Sequence, residues 1–192
     1  KNAAFLSGAL VKAARGDKEA HFRVASAVAS YLYPPFIYTD YGRAWLDDAA
    51  FMAGMRRFDV DPHSLDRKYF FRSLLALADG LPGDTAECGV FRGASSWLIC
   101  DHFRDQGKTH HAFDSFAGLS TPDDADSTFF QSGDMAIPEG QVRAALAGCN
   151  VAFHAGWIPA RFPDVADRQF CFVHVDVDLY QPTRDTIEFF YP

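Results

Sequence analysis

Two aspartates one residue apart, Asp176 and Asp178, stand in the run His174-Val175-Asp176-Val177-Asp178-Leu179-Tyr180. Carboxylates this close repel each other, and a divalent cation between them removes the conflict. Hard oxygen ligands favour Mg²⁺ over Zn²⁺. The structural alternative is that Asp178 caps the following turn and backbone amides hold Asp176. If the run is a strand, His174, Asp176 and Asp178 share one face. His174 is read as a core histidine with a hydrogen-bonded partner, with a ligand or base as the alternative.

Three further stretches carry chemistry. Glu87, Gly89 and Gly93 form an ExGxxxG pattern at a strand-to-helix bend, where missing Cβ atoms let the backbone approach a ligand closely. The spacing is neither the GxGxxG dinucleotide fingerprint nor a phosphate-binding GK[ST] loop. Asp114, followed by Ser115, ends an apolar run, and its carboxylate can accept hydrogen bonds from both hydroxyls of a ribose or cap a turn. Gly156 allows a tight turn, and Trp157 offers a broad ring to an adenine or to the core.

The elements that must position these residues follow from periodicity. Residues 3–14, 18–33 and 44–56 read as helices, with 36–43 irregular. A further helix enters at Ser64 and stops at Gly80, with Leu65, Phe70, Phe71, Leu74, Leu75 and Ala78 on one apolar face. Strands are expected at 85–90, 110–113, 151–154 and 170–177, with helices at 94–103, 138–147 and from 183 onward. The last strand has apolar residues on both faces, as a central parallel strand does. Residues 117–137 form a polar loop long enough to be functional or mobile. Alternating strands and helices predict an α/β fold, a parallel sheet with helices on both faces. In such sheets ligands bind beyond the carboxyl ends of the strands, which is where all four stretches fall. The expected division is a helical lid or acceptor region at 1–63 and an α/β core at 64–192.

Composition narrows the classes. The 192 residues carry a formal net charge of -7, so no basic footprint for nucleic acid is visible. No apolar run reaches the roughly 20 residues that span a bilayer. Cys88, Cys100, Cys149 and Cys171 form no CxxC pair and are read as buried free thiols in a reducing, cytoplasmic compartment.

Taken in order, PGDTAECGVFRGASSWLI, AFDSFAGLSTP, FHAGWIPARFP and FVHVDVDLYQPTRDTIEFFYP resemble the macrocin and mycinamicin sugar O-methyltransferase family (the TylF/MycF group) over most of residues 82–192. The resemblance implies a Rossmann-like class I methyltransferase fold, S-adenosyl-L-methionine as donor, and a divalent metal, usually Mg²⁺. It implies that Glu87, Gly89 and Gly93 line the methionine and ribose side. Asp114 would hold the ribose with Ser115 beside it, and Gly156 and Trp157 would border the adenine. Asp176 would be a metal ligand, with Asp178 as second ligand or base. The family places an Asp-Asp pair at the end of a next strand. This chain stops at Tyr191-Pro192 without it, so its C-terminal strands are expected to be missing from the sequence given.

The expected partner is a small-molecule or glycan acceptor bearing a hydroxyl, with a homo-oligomer left open. Two rivals stand beside this reading. A glycosyltransferase would use DVD as a DxD motif for a metal and a nucleotide sugar. A non-catalytic module would bind the cofactor alone.

Overall fold

The structure, a computed structural model, describes residues 2–33, 44–61 and 64–191. The irregular stretch expected at 36–43 lies outside the described residues. The chain divides into two compact units, residues 1–47 and 48–192.

In the first unit, α1 (Asn2–Ala14) and α2 (Lys18–Leu32) are joined by a turn at Gly16. Asp17 caps α2, its carboxylate accepting from Ala20 N at 2.9 Å. Ala9, Ala13 and Ala20 are buried. Residues 44–46 form a short 3-10 turn, so the single helix expected over 44–56 is divided.

The second unit opens with α3 (Ala49–Met55), capped by Asp48, which accepts from Phe51 N at 2.8 Å. Next comes α4 (Leu65–Leu74), which continues as a 3-10 turn through Ala78. Ser64 takes the expected N-cap position but makes no side-chain cap; its hydroxyl donates instead to Asp61 O. Leu65, Leu75 and Ala78 are buried, whereas Phe70 and Leu74 point to solvent. The apolar face of this helix is therefore narrower than its composition suggests.

The core alternates β1 (Asp84–Cys88), α5 (Ala94–His102), β2 (His110–Asp114), α6 (Glu139–Ala145), β3 (Val151–Ala155), β4 (Phe170–Val175) and α7 (Tyr180–Phe190). All pairings are parallel, in the order β3-β2-β1-β4. Helices cover both faces. On one, Phe71 of α4 packs on Phe172 and His174 of β4. On the other, Phe189 and Phe190 of α7 join Phe162, Phe113 and Ala86 in the main apolar cluster. Alternation along β1 sends Ala86 and Cys88 into that cluster and Thr85 and Glu87 toward α4 and α5.

Two expectations about the last strand change. It ends at Val175, not 177, and among the described residues it lies at an edge of the sheet. Its apolar side chains serve the two helical layers, and all six residues are half-buried. Because the strand stops early, the alternation argument does not put His174, Asp176 and Asp178 on one face. Instead Asp176 N donates to Cys88 O at 2.9 Å, and Asp178 turns the chain at φ 60°. Of the four cysteines, all free, only Cys88 is fully buried.

Candidate active site

β1, at an interior position of the sheet, sets the site. Its last residue is followed by Gly89, whose N–H donates to Phe113 O at 2.9 Å, while Asp176 N reaches back to Cys88 O. The ends of β2 and β4 are thus keyed to the end of β1. Gly89 has φ 87°, and a Cβ there would collide with the carbonyl of Asp176. Glycine is needed because two backbones pass at contact distance. Gly93 begins α5 and allows close packing of helices, since its Cβ would meet Leu146 and Val142 of the α6 region at 3.3–3.4 Å.

Asp114 is the joint between neighbouring turns. Its Oδ2 accepts from Val90 N at 2.8 Å and Phe91 N at 3.0 Å, and its Oδ1 from Phe116 N at 2.7 Å. Three amides therefore occupy part of a carboxylate that has about four lone-pair positions. The turn-capping role is present, and acceptor capacity remains. Ser115 closes the same turn, donating to Gly118 O at 2.9 Å. Gly156 N donates to Asp114 O at 2.9 Å, which ties the end of β3 to that of β2.

Glu87 lies beneath the site. It is fully buried, accepting from Ser96 Oγ and from His174 Nδ1 at 2.8 Å. His110 Nε2 stands 3.9 Å away, too far for a hydrogen bond, and is the one buried side-chain nitrogen without a partner among the described residues. Burial opposes ionisation of Glu87, but the interactions with His110 and His174 outweigh it and hold the carboxyl down at about 2.

Two clefts open above this floor. Asp114, Ser115, Gly156 and Trp157 line the first. The second, of about 700 Å³, is lined by Phe58, Lys68, Phe71, Arg92, Ser95 and His174. That volume lies within the range of small-molecule sites. Gly89, Phe91, Met135, Asp176 and Asp178 belong to both and form the wall where the clefts meet. Burial, and then the charge of Asp176, push the Asp178 carboxyl up. Of the nine site residues expected from sequence, seven line one or both clefts; Glu87 and Gly93 line neither. Arg67 and Lys68 of the second cleft were not expected there, and Ser64 and Phe71 were read only as a helix cap and part of an apolar face. Their spacing of three and four residues marks a single face of α4, and that was the available signal.

Asp176 and Asp178 are suited by charge to a hard cation. Among the described residues, however, no three His, Cys, Asp or Glu side chains converge as a metal site. Among the described residues this wall offers two carboxylates, so water or ligand oxygens would have to complete the octahedral shell of Mg²⁺.

A parallel sheet in this order, with its clefts at the carboxyl ends of the strands, has the architecture of class I methyltransferases. The structure resembles the O-methyltransferase NovP with a TM-score of 0.55 and 26% identity, over 66% of this chain and 59% of that one. It shares the fold of CalS11, calicheamicin methyltransferase, with a TM-score of 0.61 and 18% identity, over 69% and 61%. The family described as Macrocin-O-methyltransferase (TylF) matches residues 38–192, and the chain belongs to that family.

Among its relatives, an 8-demethyl-8-(2,3-dimethoxy-alpha-L-rhamnosyl)-tetracenomycin-C 4'-O-methyltransferase from Streptomyces olivaceus is 32% identical, over 77% of this chain and 59% of that protein. A mycinamicin III 3''-O-methyltransferase from Micromonospora griseorubida is 26% identical, over 73% and 59%. The chain thus spans about 59% of the length of these curated relatives.

Proposed function

We propose that this chain forms the donor-binding part of an S-adenosyl-L-methionine-dependent O-methyltransferase that acts on a hydroxyl of a sugar attached to a natural product. The observation that carries the reading is the pair of clefts meeting at Asp176 and Asp178. Methyl transfer is an in-line displacement, so donor and acceptor must approach one point from opposite sides. The names of the two sugar-directed relatives support a sugar hydroxyl as acceptor.

In this reading Asp114 turns its remaining acceptor capacity toward the ribose, and Ser115 shapes the turn beside it. Gly156 and Trp157 border the adenine. Gly89 brings the backbone close to the donor. Glu87 and Gly93 act from below, by fixing the turn and α5. The donor supplies an electrophilic methyl group. Asp176 orients the acceptor hydroxyl and Asp178, with its raised affinity for a proton, stands ready to receive the one the hydroxyl loses. If a divalent cation assists, these two carboxylates would hold it as part of a larger ligand set, and it would lower the pKa of the hydroxyl. The end of the second cleft at Phe58, Asp59, Val60 and Asp61 belongs to the acceptor side. Four free cysteines support a cytoplasmic setting.

The test is calorimetric titration with S-adenosylhomocysteine and with UDP, each with and without Mg²⁺. Binding of S-adenosylhomocysteine alone is expected. Binding of UDP that requires Mg²⁺ would replace this reading with glycosyl transfer.

A further inference from the structure

The second cleft contains a half-buried cation that is not held in an ion pair by the described residues. Lys68, half-buried on α4, donates through Nζ to Ser95 Oγ in the first turn of α5. Among the described residues it forms no ion pair. Of the nearby arginines, Arg92 pairs with Asp59 and Arg72 with Asp48, each at 2.6 Å, while Arg67, on the same cleft and exposed to solvent, has no ion pair among the described residues either. A half-buried ammonium loses hydration, and a single neutral hydroxyl does not replace it. Ser95 is itself 3% exposed, so its oxygen is fixed in place as a second polar group at the same spot. It also stands at the positive end of the α5 dipole, which adds to the attraction for an anion.

The wall shared with the first cleft has the opposite sign, through Asp176 and Asp178. A ligand crossing from that wall to Lys68 is matched if it is cationic at one end and carries a carboxylate at the other. The amino-acid arm of the methyl donor has this character, with a sulfonium and an α-ammonium leading to an α-carboxylate. We propose that Lys68 and Ser95 form a carboxylate-binding subsite that takes the α-carboxylate of the donor. The inference rests on the donor reading of the first cleft and extends it. Lys68 then selects the intact donor over nucleosides that lack the amino-acid arm.

A carboxylate on the acceptor would have the same chemistry, and the test separates the two. The wild-type chain, Lys68→Met and Lys68→Arg are titrated with S-adenosylhomocysteine and with 5′-methylthioadenosine, which keeps the nucleoside and thioether but has no amino acid. Lys68→Met should weaken S-adenosylhomocysteine by about tenfold or more, the size of a lost charge-assisted hydrogen bond, and leave methylthioadenosine unchanged. Lys68→Arg should restore most of the loss. Unchanged S-adenosylhomocysteine affinity in Lys68→Met overturns the proposal, as does an equal loss for both nucleosides. A second arm titrates glucuronate and glucose onto the S-adenosylhomocysteine complex. Glucuronate binding that depends on Lys68, with donor affinity intact, would move the subsite to the acceptor and overturn the donor assignment. Failure of the wild type to bind either nucleoside would sink the donor reading itself, and this proposal with it.

Discussion

Asp114 Oδ2 accepts the N–H of Val90 at 2.8 Å, so the carboxylate that ends β2 holds the turn that follows β1. A residue chosen for a ribose is already part of the frame that would receive it. Its fourth lone-pair position is the one a ligand can use, and the other three fix where that position points.

Asp114→Ala should therefore fail in two ways. Three amides lose their acceptor, and stability should fall by about 1–3 kcal/mol. Affinity for S-adenosylhomocysteine should also fall. Urea unfolding and calorimetry read the two effects separately. A stability loss with unchanged affinity would leave Asp114 a turn residue only.

Gly89 and Gly93 should respond differently to alanine. At Gly89 the added methyl meets a backbone carbonyl, which cannot move without displacing Asp176. Gly89→Ala should cost on the order of 2–4 kcal/mol and weaken donor binding, since both strain and position change. At Gly93 the methyl meets the Leu146 and Val142 side chains at 3.3–3.4 Å, which need give by only a few tenths of an ångström, and the cost should stay nearer about 1 kcal/mol, mostly from the positive φ. Similar donor affinities for the two variants would contradict this ranking.

Glu87 makes a pH prediction. Its folded pKa is depressed, from 4.5 to about 2, so its contribution is fully present above 4.5 and is lost as pH falls toward 2. Glu87→Gln should be less stable than wild type at pH 6, by roughly 3 kcal/mol if the partners are left unpaired. The gap should narrow as the pH is lowered through that window. Urea midpoints of both proteins across the range give the comparison, and a gap that stays constant would mean that Glu87 is not ionised in the folded state.

Asp126 tethers the 117–137 loop to α7. Its Oδ1 accepts from Tyr180 N at 2.7 Å, capping a helix whose own N-cap, Leu179, has no side-chain acceptor. The loop is also closed at its neck, where Leu119 N donates to Asp134 O and Gly133 N to Leu119 O. Asp126→Ala should cost about 1 kcal/mol, as a lost cap does, and should speed limited proteolysis within the loop. Unaltered cleavage there would show that the neck alone holds the loop.

Asp176→Asn keeps the shape of the wall and removes the charge that would attract a cation. If a metal assists methyl transfer, EDTA and this substitution should each abolish turnover in a methylation assay while S-adenosylhomocysteine binding persists. Full turnover under either condition would remove metal assistance from the mechanism.

The architecture was legible because every core strand is a short apolar run bounded by a glycine, a proline or an acidic residue. The bends at Gly89, Gly93 and Gly156 could be read for the same reason: a glycine at a strand end or helix start marks a backbone conformation. Side-chain partners were not legible. That Glu87 turns down onto His174 and Ser96 depends on the pairing of β1 with β4, 87 residues away along the chain. The early end of β4 was hidden because valine and aspartate alternate through the turn, as they would in a strand. Lys68 was hidden for another reason, since one charge on an amphipathic helix reads as solvated until the neighbouring α5 is in place.

The keying of Phe113 O to Gly89 and of Cys88 O to Asp176 makes β1 the common datum from which the neighbouring strand ends are measured. The segments that leave those ends, above all 117–137, can change in length and sequence without shifting that datum. Such an arrangement holds the strand ends to a fixed geometry while the connecting segments vary around them. Changes that disturb β1 itself reach every part of the site at once.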